Sequence, residues 1–152
     1  MSEAVRETSA MIAGMAPRLD EHEYVFCAMA NPGLAVLALA LACFRENEGV
    51  SLILERTVAA GLRLDVSSPM RRIVLEVHSA LDGVGLTAAV ASALSANAIP
   101  CNMVAAFHHD HVFVPADKAE AALDVLRKIQ SEAASTNLTS SRSETSAESL
   151  RT

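Results

Sequence analysis

Two stretches of this chain hold residue types and spacings that could do chemistry. In the first, His78 to Leu86, the turn Asp82-Gly83-Val84-Gly85 separates an alternating apolar pattern from a helical one. A strand that enters a helix through such a turn leaves backbone N–H groups free at the helix start. Those donors, together with the helix dipole, suit a carboxylate or another anion. Gly83 and Gly85 carry no side chain, so a ligand could approach the backbone closely there. The alternative is a plain turn in which Asp82 caps the helix and the glycines only bend the chain.

The second stretch is His108-His109-Asp110-His111. Imidazole and carboxylate are sound ligands for zinc and similar metals. An extended chain, however, puts His109 and His111 on one face and His108 and Asp110 on the other, and no Cys/His pair elsewhere completes four ligands. No metal site is therefore expected. Asp110 is expected to organise a turn and to fix a neighbouring imidazole by hydrogen bonding. In Arg45-Glu46-Asn47-Glu48-Gly49 the polar residues and the glycine read as a solvated turn. If this turn has a further role, Glu46 or Glu48 would hold an ammonium group and Arg45 a carboxylate. No Gly-x-Ser-x-Gly elbow, triad, phosphate loop or third glycine for a dinucleotide fingerprint occurs, so neither an enzyme nor a cofactor is expected.

The elements that must position these residues are signalled locally. Ile73, Leu75 and Val77 alternate with Val74, Glu76 and His78, as in a strand with one buried face. Leu86, Ala89, Val90, Ala93 and Leu94 follow at helical spacing, with Asn97 able to end that helix in a left-handed cap. Pro100 to Phe107 and His111 to Pro115 read as two strands. Asp117 and Glu120 make a capping box for a last helix that buries Ala119, Ala122, Leu123, Leu126 and Ile129. This order, β-α-β-β-α, is most of a ferredoxin-like unit of the α+β class, mainly antiparallel with helices on one face.

Before it, residues 3 to 15 read as an amphipathic helix, Tyr24 to Met29 as a strand, and Val50 to Leu54 as another. A short helix runs from about Thr57 to Leu62. The uncharged run Leu34 to Phe44 reads as a buried strand, its alanines making a helix the rival. Ser67-Ser68-Pro69 marks a boundary, which divides the chain into units 1–66 and 67–130. From Ser131, half of the 22 residues are Ser or Thr, so 131–152 is expected to be a disordered tail. The second unit then lacks a fourth strand, and the first half is expected to supply it, because exposed edges invite uncontrolled pairing.

Composition narrows the function classes. A net charge of −6 and only 3% aromatic residues exclude the basic stripe that nucleic acid or an anionic membrane would need. The eleven-residue apolar run is too short to span a bilayer, which takes about 18 residues or more. Cys27, Cys43 and Cys101 have no paired spacing, and the N-terminus lacks a signal-peptide pattern. The expectation is a cytoplasmic protein with reduced, buried thiols.

Several stretches, in order, resemble the ACT-domain family, in particular small bacterial proteins with two ACT units in tandem. They are Glu23-Tyr24-Val25-Phe26-Cys27, residues 44–52, Val77-His78-Ser79-Ala80-Leu81, residues 84–89, and residues 109–115, His109-Asp110-His111-Val112-Phe113-Val114-Pro115. The resemblance implies two βαββαβ-type units and a regulatory role in binding an amino acid or a similar small metabolite, acting through pairing of ACT units in a homo-oligomer. It places the effector by the glycine loop, at His78, Asp82, Gly83, Val84, Gly85 and Leu86. The facing strand near Asn102 and Met103 would complete the pocket, and His109 and His111 could line it. Asn102, in an otherwise apolar strand, is expected to be buried and to need partners. The first half lacks a clear glycine turn between its first strand and a long helix. The alternative is an interaction protein that binds nothing small and works through its paired surfaces.

Overall fold

A computed structural model of the chain describes residues 7–77 and 85–148, with side chains as far as Leu138. The Glu7 carboxylate accepts from the backbone N–H of Ser9 and Ala10 and so caps α1 (Thr8–Gly14). Strand β1 (Ala16–Met29) begins at once and is 14 residues long, well beyond the expected Tyr24–Met29. Asn31-Pro32-Gly33 then turns the chain into α2 (Leu34–Leu39), which is only six residues long, so no long helix follows the first strand. The apolar run therefore divides: its alanine-rich start is helical, and only its end enters β2 (Ala42–Glu46). It is not buried either, for α2 has no buried residue.

Next come β3 (Gly49–Glu55), α3 (Arg56–Gly61), β4 (Met70–Glu76), α4 (Leu86–Ala96), β5 (Asn102–Ala105) and β6 (Asp110–Pro115). A 3-10 turn at Ala116–Lys118 leads into α5 (Ala119–Glu148), in place of the expected capping box. At the end of α4 the left-handed residue is Ala98, at φ 55, while Asn97 stays at φ −101 and its amide donates to Ala93 O. The segment expected to be a disordered tail continues α5 as far as Glu148. There the hydroxyls of Ser131, Ser135 and Thr136 bond back to carbonyls four residues earlier, and Gln130 and Asn137 reach across to α1. Among the described residues no helix is long and apolar enough to cross a membrane. Cys27 and Cys101 are half-buried, but Cys43 is exposed, contrary to the expected burial of all three.

The six strands form one antiparallel sheet in the order β2-β3-β1-β4-β6-β5. Within it, β2-β3-β1-β4 and β1-β4-β6-β5 are each a four-stranded ferredoxin-like sheet, and the two share β1 and β4, the central pair of the six-stranded sheet. The missing fourth strand of the second unit is thus β1, from the first half as expected, and β4 closes the first unit in return. Among the described residues all helices lie on one face. Ile73, Leu75, Val112 and Val114 pack under α1, α4 and α5, while Val25, Leu52 and Leu54 pack under α2 and α3. Each fully buried Leu or Ile in these clusters contributes roughly 1.5–3 kcal/mol. Tyr24, Ile53 and Phe113 occupy the opposite face, which no helix among the described residues covers.

β1 can serve both units because it is bulged. Ala16 to Leu19 pair with Glu76 to Ile73, and pairing resumes at Glu23↔Arg71, so Asp20, Glu21 and His22 stand opposite Arg72 alone. Asp20, 7% exposed, is the buried charged residue of the described core. Its carboxylate accepts from the Arg72 guanidinium, the Tyr24 hydroxyl (2.9 Å) and the His22 N–H (3.0 Å), and it lies 3.0 Å from the His22 ring. Arg71 binds the Asp20 carbonyl from the side, and the Arg72 guanidinium lies over the Tyr24 ring. Burial pushes the Asp20 carboxyl up, but the hydrogen bonds from His22, Arg72 and Tyr24 outweigh it and hold the group well below the usual carboxylate range. Burial and donation to Asp20 push the Tyr24 hydroxyl up to about 12.

A depressed carboxyl binds its proton more weakly folded than unfolded. Its stabilisation is complete above the ordinary carboxylate pKa near 3.9 and is lost as pH falls below that value. We therefore expect Arg72→Met, which strands the carboxylate, to lower unfolding free energy by about 3 kcal/mol in urea at pH 7. A loss below about 1 kcal/mol would show that the network does not hold the seam. Urea titrations between pH 5 and pH 2 should show stability falling in the parent protein. In Asp20→Asn, starting from a lower value, that fall should be shallower.

Candidate functional site

The sequence-predicted site begins where β4 ends. His78, Asp82, Gly83 and Val84 lie outside the described residues, which resume at Gly85. Gly85 adopts φ +102, and a Cβ there would stand 2.5 Å from the Thr8 hydroxyl oxygen, so α1 and the start of α4 meet only because this residue is glycine. Leu86 is buried in the core. The first helical bond runs from Ala89 N–H to Gly85 O (2.9 Å), and among the described residues no side chain caps α4. The N–H groups of its first turn, Leu86 to Ala88, thus have no acceptor within the helix. They carry the positive end of an eleven-residue helix.

Strand register decides which other candidates reach this end. Asp110 pairs with both Leu75 and Ala105, and Ala106 N–H bonds His109 O at 3.2 Å across the β5–β6 turn. His109 therefore stands at the end of the sheet from which β4 leaves, and its ring lowers the pKa of Glu76, although less than the Arg18 hydrogen bond does. Asp110 is pushed up by burial, with His109 opposing the shift. His111 is on the other side of the sheet. Its partner Val74 alternates with Ile73 and Leu75, which face α4, so the His111 ring lies on the helix-free face. Burial, then Arg72 and His109, lower its pKa, and its Nδ1 is buried without a hydrogen-bond partner.

Asn102 is also on that face, opposite Phe113, and it is exposed rather than buried; its amide makes a long 3.7 Å contact with Met70 Sδ. Asn102 stands level with Arg72 rather than with the end of β4. The expected pocket residues are thus divided. Gly85 and Leu86 open α4 and His109 lies at the β5–β6 turn, whereas Asn102 and His111 point away from the helices. Met103 turns instead into the core beside α4.

Among the described residues no three His, Cys, Asp or Glu side chains are grouped to hold an ion. The imidazole that a carboxylate fixes is His22, by Asp20, and not a neighbour of Asp110. That contact, ahead of the charge of Glu55, raises the His22 pKa. Residues 45–49 make the exposed β2–β3 hairpin expected of them, with Glu46 accepting from Ser51.

Sequence reading missed the seam between the units. On the helix side of β1, Glu23 borders two hollows. One, of about 500 Å³, is lined by His22, Glu23, Glu55, Arg56, Thr57, Ala60 and Val66. The other, of about 670 Å³, is lined by Glu23, Ser67 to Met70 and Pro115 to Asp117. Glu23 bonds Arg56 at 2.8 Å. A guanidinium beside carboxylates could receive a zwitterion. These residues come from separate segments with no common spacing, so no motif could have found them.

Comparison with known proteins accords with this architecture. One ACT-domain family model matches residues 3–71 and a second ACT-domain model matches residues 67–128. No curated protein matches the chain. Among solved structures, a protein of unknown function from Vibrio cholerae, described as a possible transport protein, is 38% identical, with a TM-score of 0.72 over 80% of this chain and 94% of that one. An Agrobacterium tumefaciens protein is 20% identical, with a TM-score of 0.54 over 76% and 89%. The ligand-free regulatory subunit of aspartate kinase from Thermus thermophilus shares the fold at 15% identity, with a TM-score of 0.54 over 74% and 95%. With ACT models on both halves and a 38% identical relative matched over nearly its whole length, this chain belongs to the ACT-domain family, as a tandem of two ACT units.

Proposed function

We propose that this protein is a regulatory module, not an enzyme, that binds an amino acid in the cytoplasm and changes the pairing of its ACT units. The observation that carries this reading is the start of α4, a helix opened by left-handed Gly85 with no side-chain cap among the described residues. Its N–H groups suit the effector's carboxylate. We assign His78, Asp82, Gly83, Val84, Gly85, Leu86 and His109 to this end of the site. His111 would act from behind the sheet, and exposed Asn102 adds nothing to it.

The shared strands supply the mechanism. A ligand that prefers one arrangement of α4 against β4 shifts β4, and β4 belongs equally to the first unit. Differential affinity for two arrangements is all that regulation requires. The unit boundary at residues 66 and 67, just ahead of β4, fits this relay. Family membership supports an effector-binding role in general. A second reading, an interaction protein without an effector, is favoured by the helix-free sheet face with its half-exposed Phe26 and Phe44.

Thermal unfolding against each of the twenty amino acids tests the proposal. At a hundred times its dissociation constant the effector adds about 2.7 kcal/mol, which raises the midpoint by several degrees. We expect one or two amino acids to do so, and exposed His109→Ala to reduce the shift. A shift that survives His109→Ala but disappears in Glu23→Gln would move the site to the seam hollows. No shift at millimolar concentrations would leave the interaction reading standing.

A further inference from the structure

The chain has five aromatic residues, four Phe and one Tyr. Register puts four of them, Tyr24, Phe26, Phe44 and Phe113, on the sheet face that no helix among the described residues covers. Tyr24 and Phe113 are buried, whereas Phe26 and Phe44 remain 46% and 50% exposed. Phe26 lies opposite Ile53, and Phe44 opposite Ser51, two places along from Ile53. Two strand spacings of about 4.8 Å and two residue rises of about 3.4 Å set their Cα atoms roughly 12 Å apart. Between them, over Ala28, Ser51 and Ile53, runs a groove of about 370 Å³, a volume within the range of small-molecule sites. One wall is fixed, because Phe26 meets the buried Phe113 ring edge-on at 5.2 Å. The ends of the groove are acidic. Glu46 follows Phe44 on this face of β2 and accepts from the Ser51 hydroxyl on the floor, and the register places Glu55 beyond Ile53. The neighbouring cations are engaged elsewhere: Arg56 with Glu23 at 2.8 Å, Arg72 with Asp20, and the His22 ring with Asp20 at 3.0 Å. Arg45 pairs with Val50, which joins the cluster beneath α2 and α3, and so stands on the other face.

We infer that this groove binds an organic ammonium ion, seated between Phe26 and Phe44 with its charge answered by Glu46 and Glu55. A solvated sheet face would carry polar residues where these two rings stand. The face of an aromatic ring attracts a cation held within about 6 Å of it, and quaternary and other organic ammonium groups are the ligands that exploit this. Charge decides among the alternatives. An anion would meet two carboxylates with no free guanidinium facing it, and a neutral apolar ligand would make no use of them. A hard metal cation needs several oxygen ligands, which two phenyl rings do not offer. A free amino acid brings a carboxylate of its own, so it does not suit this groove. In a chain of net charge −6 the long-range field also favours a cation. The groove lies on the sheet face opposite the cluster beneath α4. It is therefore separate from the amino-acid site, and the inference does not rest on that reading.

Amide chemical-shift titration of the full chain with benzyltrimethylammonium, up to about 10 mM, tests this. We expect saturable shifts at Phe26, Phe44, Ser51 and Ile53 with a dissociation constant of about 1 mM or below. Phe44→Ser should raise that constant about tenfold, and Glu46→Gln should raise it several-fold. Phe44 is on an edge strand, so far-UV circular dichroism should be unchanged in Phe44→Ser. Phe107→Ser, which removes a 76% exposed ring at the β5–β6 turn, should leave binding intact. Benzoate should not bind, and benzyl alcohol should bind at least about tenfold more weakly. No saturable shift would overturn the site, whether the face stands free or a second copy covers it. Equal binding of benzyl alcohol would overturn the role of charge, and so would binding that Glu46→Gln leaves unchanged. Binding that survives Phe44→Ser, or that Phe107→Ser weakens equally, would overturn the groove as its place.

Discussion

One strand has to serve two sheets, and the rest of the structure follows from how β1 does so. Its first four residues pair only with β4 and its last five only with β3. Between Leu19 and Glu23 the chain advances four positions while β4 advances two, from Ile73 to Arg71. The excess is two residues, an even number, so Leu19 and Val25 both still face the helices. An excess of one would turn every later side chain to the wrong face. The Asp20 carboxylate gathers the bulge around itself, and Arg72 neutralises it from the neighbouring strand. Such a pair often adds little to stability over an apolar replacement, but it strongly penalises any register that separates its members.

The two units that meet at this seam are unequal. An extensive cluster lies beneath α1, α4 and α5, whereas the cluster beneath α2 and α3 has four buried residues, Val25, Leu52, Leu54 and Ala59, and α2 contributes none of them. Because the two units share β1 and β4, displacement at the α4 end must pass through the β1–β4 ladder. This is a physical connection of shared hydrogen bonds and not merely proximity.

Much of this was legible in the sequence. Alternation at Ile73, Leu75 and Val77 gave β4, helical spacing from Leu86 gave α4, and the count of strands showed that the second unit had to borrow one. Other features were set by tertiary context. Leu34 to Leu39 looked like core because every residue is apolar, yet the segment covers the smaller cluster as a short surface helix. Asn102 looked buried among apolar neighbours, but its face of β5 has no helix above it. The serine-rich stretch after Gln130 lacks an apolar face, yet it extends α5, with Gln130 and Asn137 in contact with α1. The Asp20 network was invisible because Arg71 and Arg72 lie 51 and 52 residues from it, and only the register brings them together.

Sharing β1 and β4 makes the two ACT units one cooperative body. Native-state amide hydrogen exchange in low denaturant tests it most directly, read at Leu52 and Leu54 of β3 and at Val112 and Val114 of β6. If the account is right, these four amides exchange through the same opening, with equal free energies and equal denaturant dependence. If the β3 amides open in a separate event of smaller denaturant dependence while β6 stays protected, the two units are independent and the claim fails.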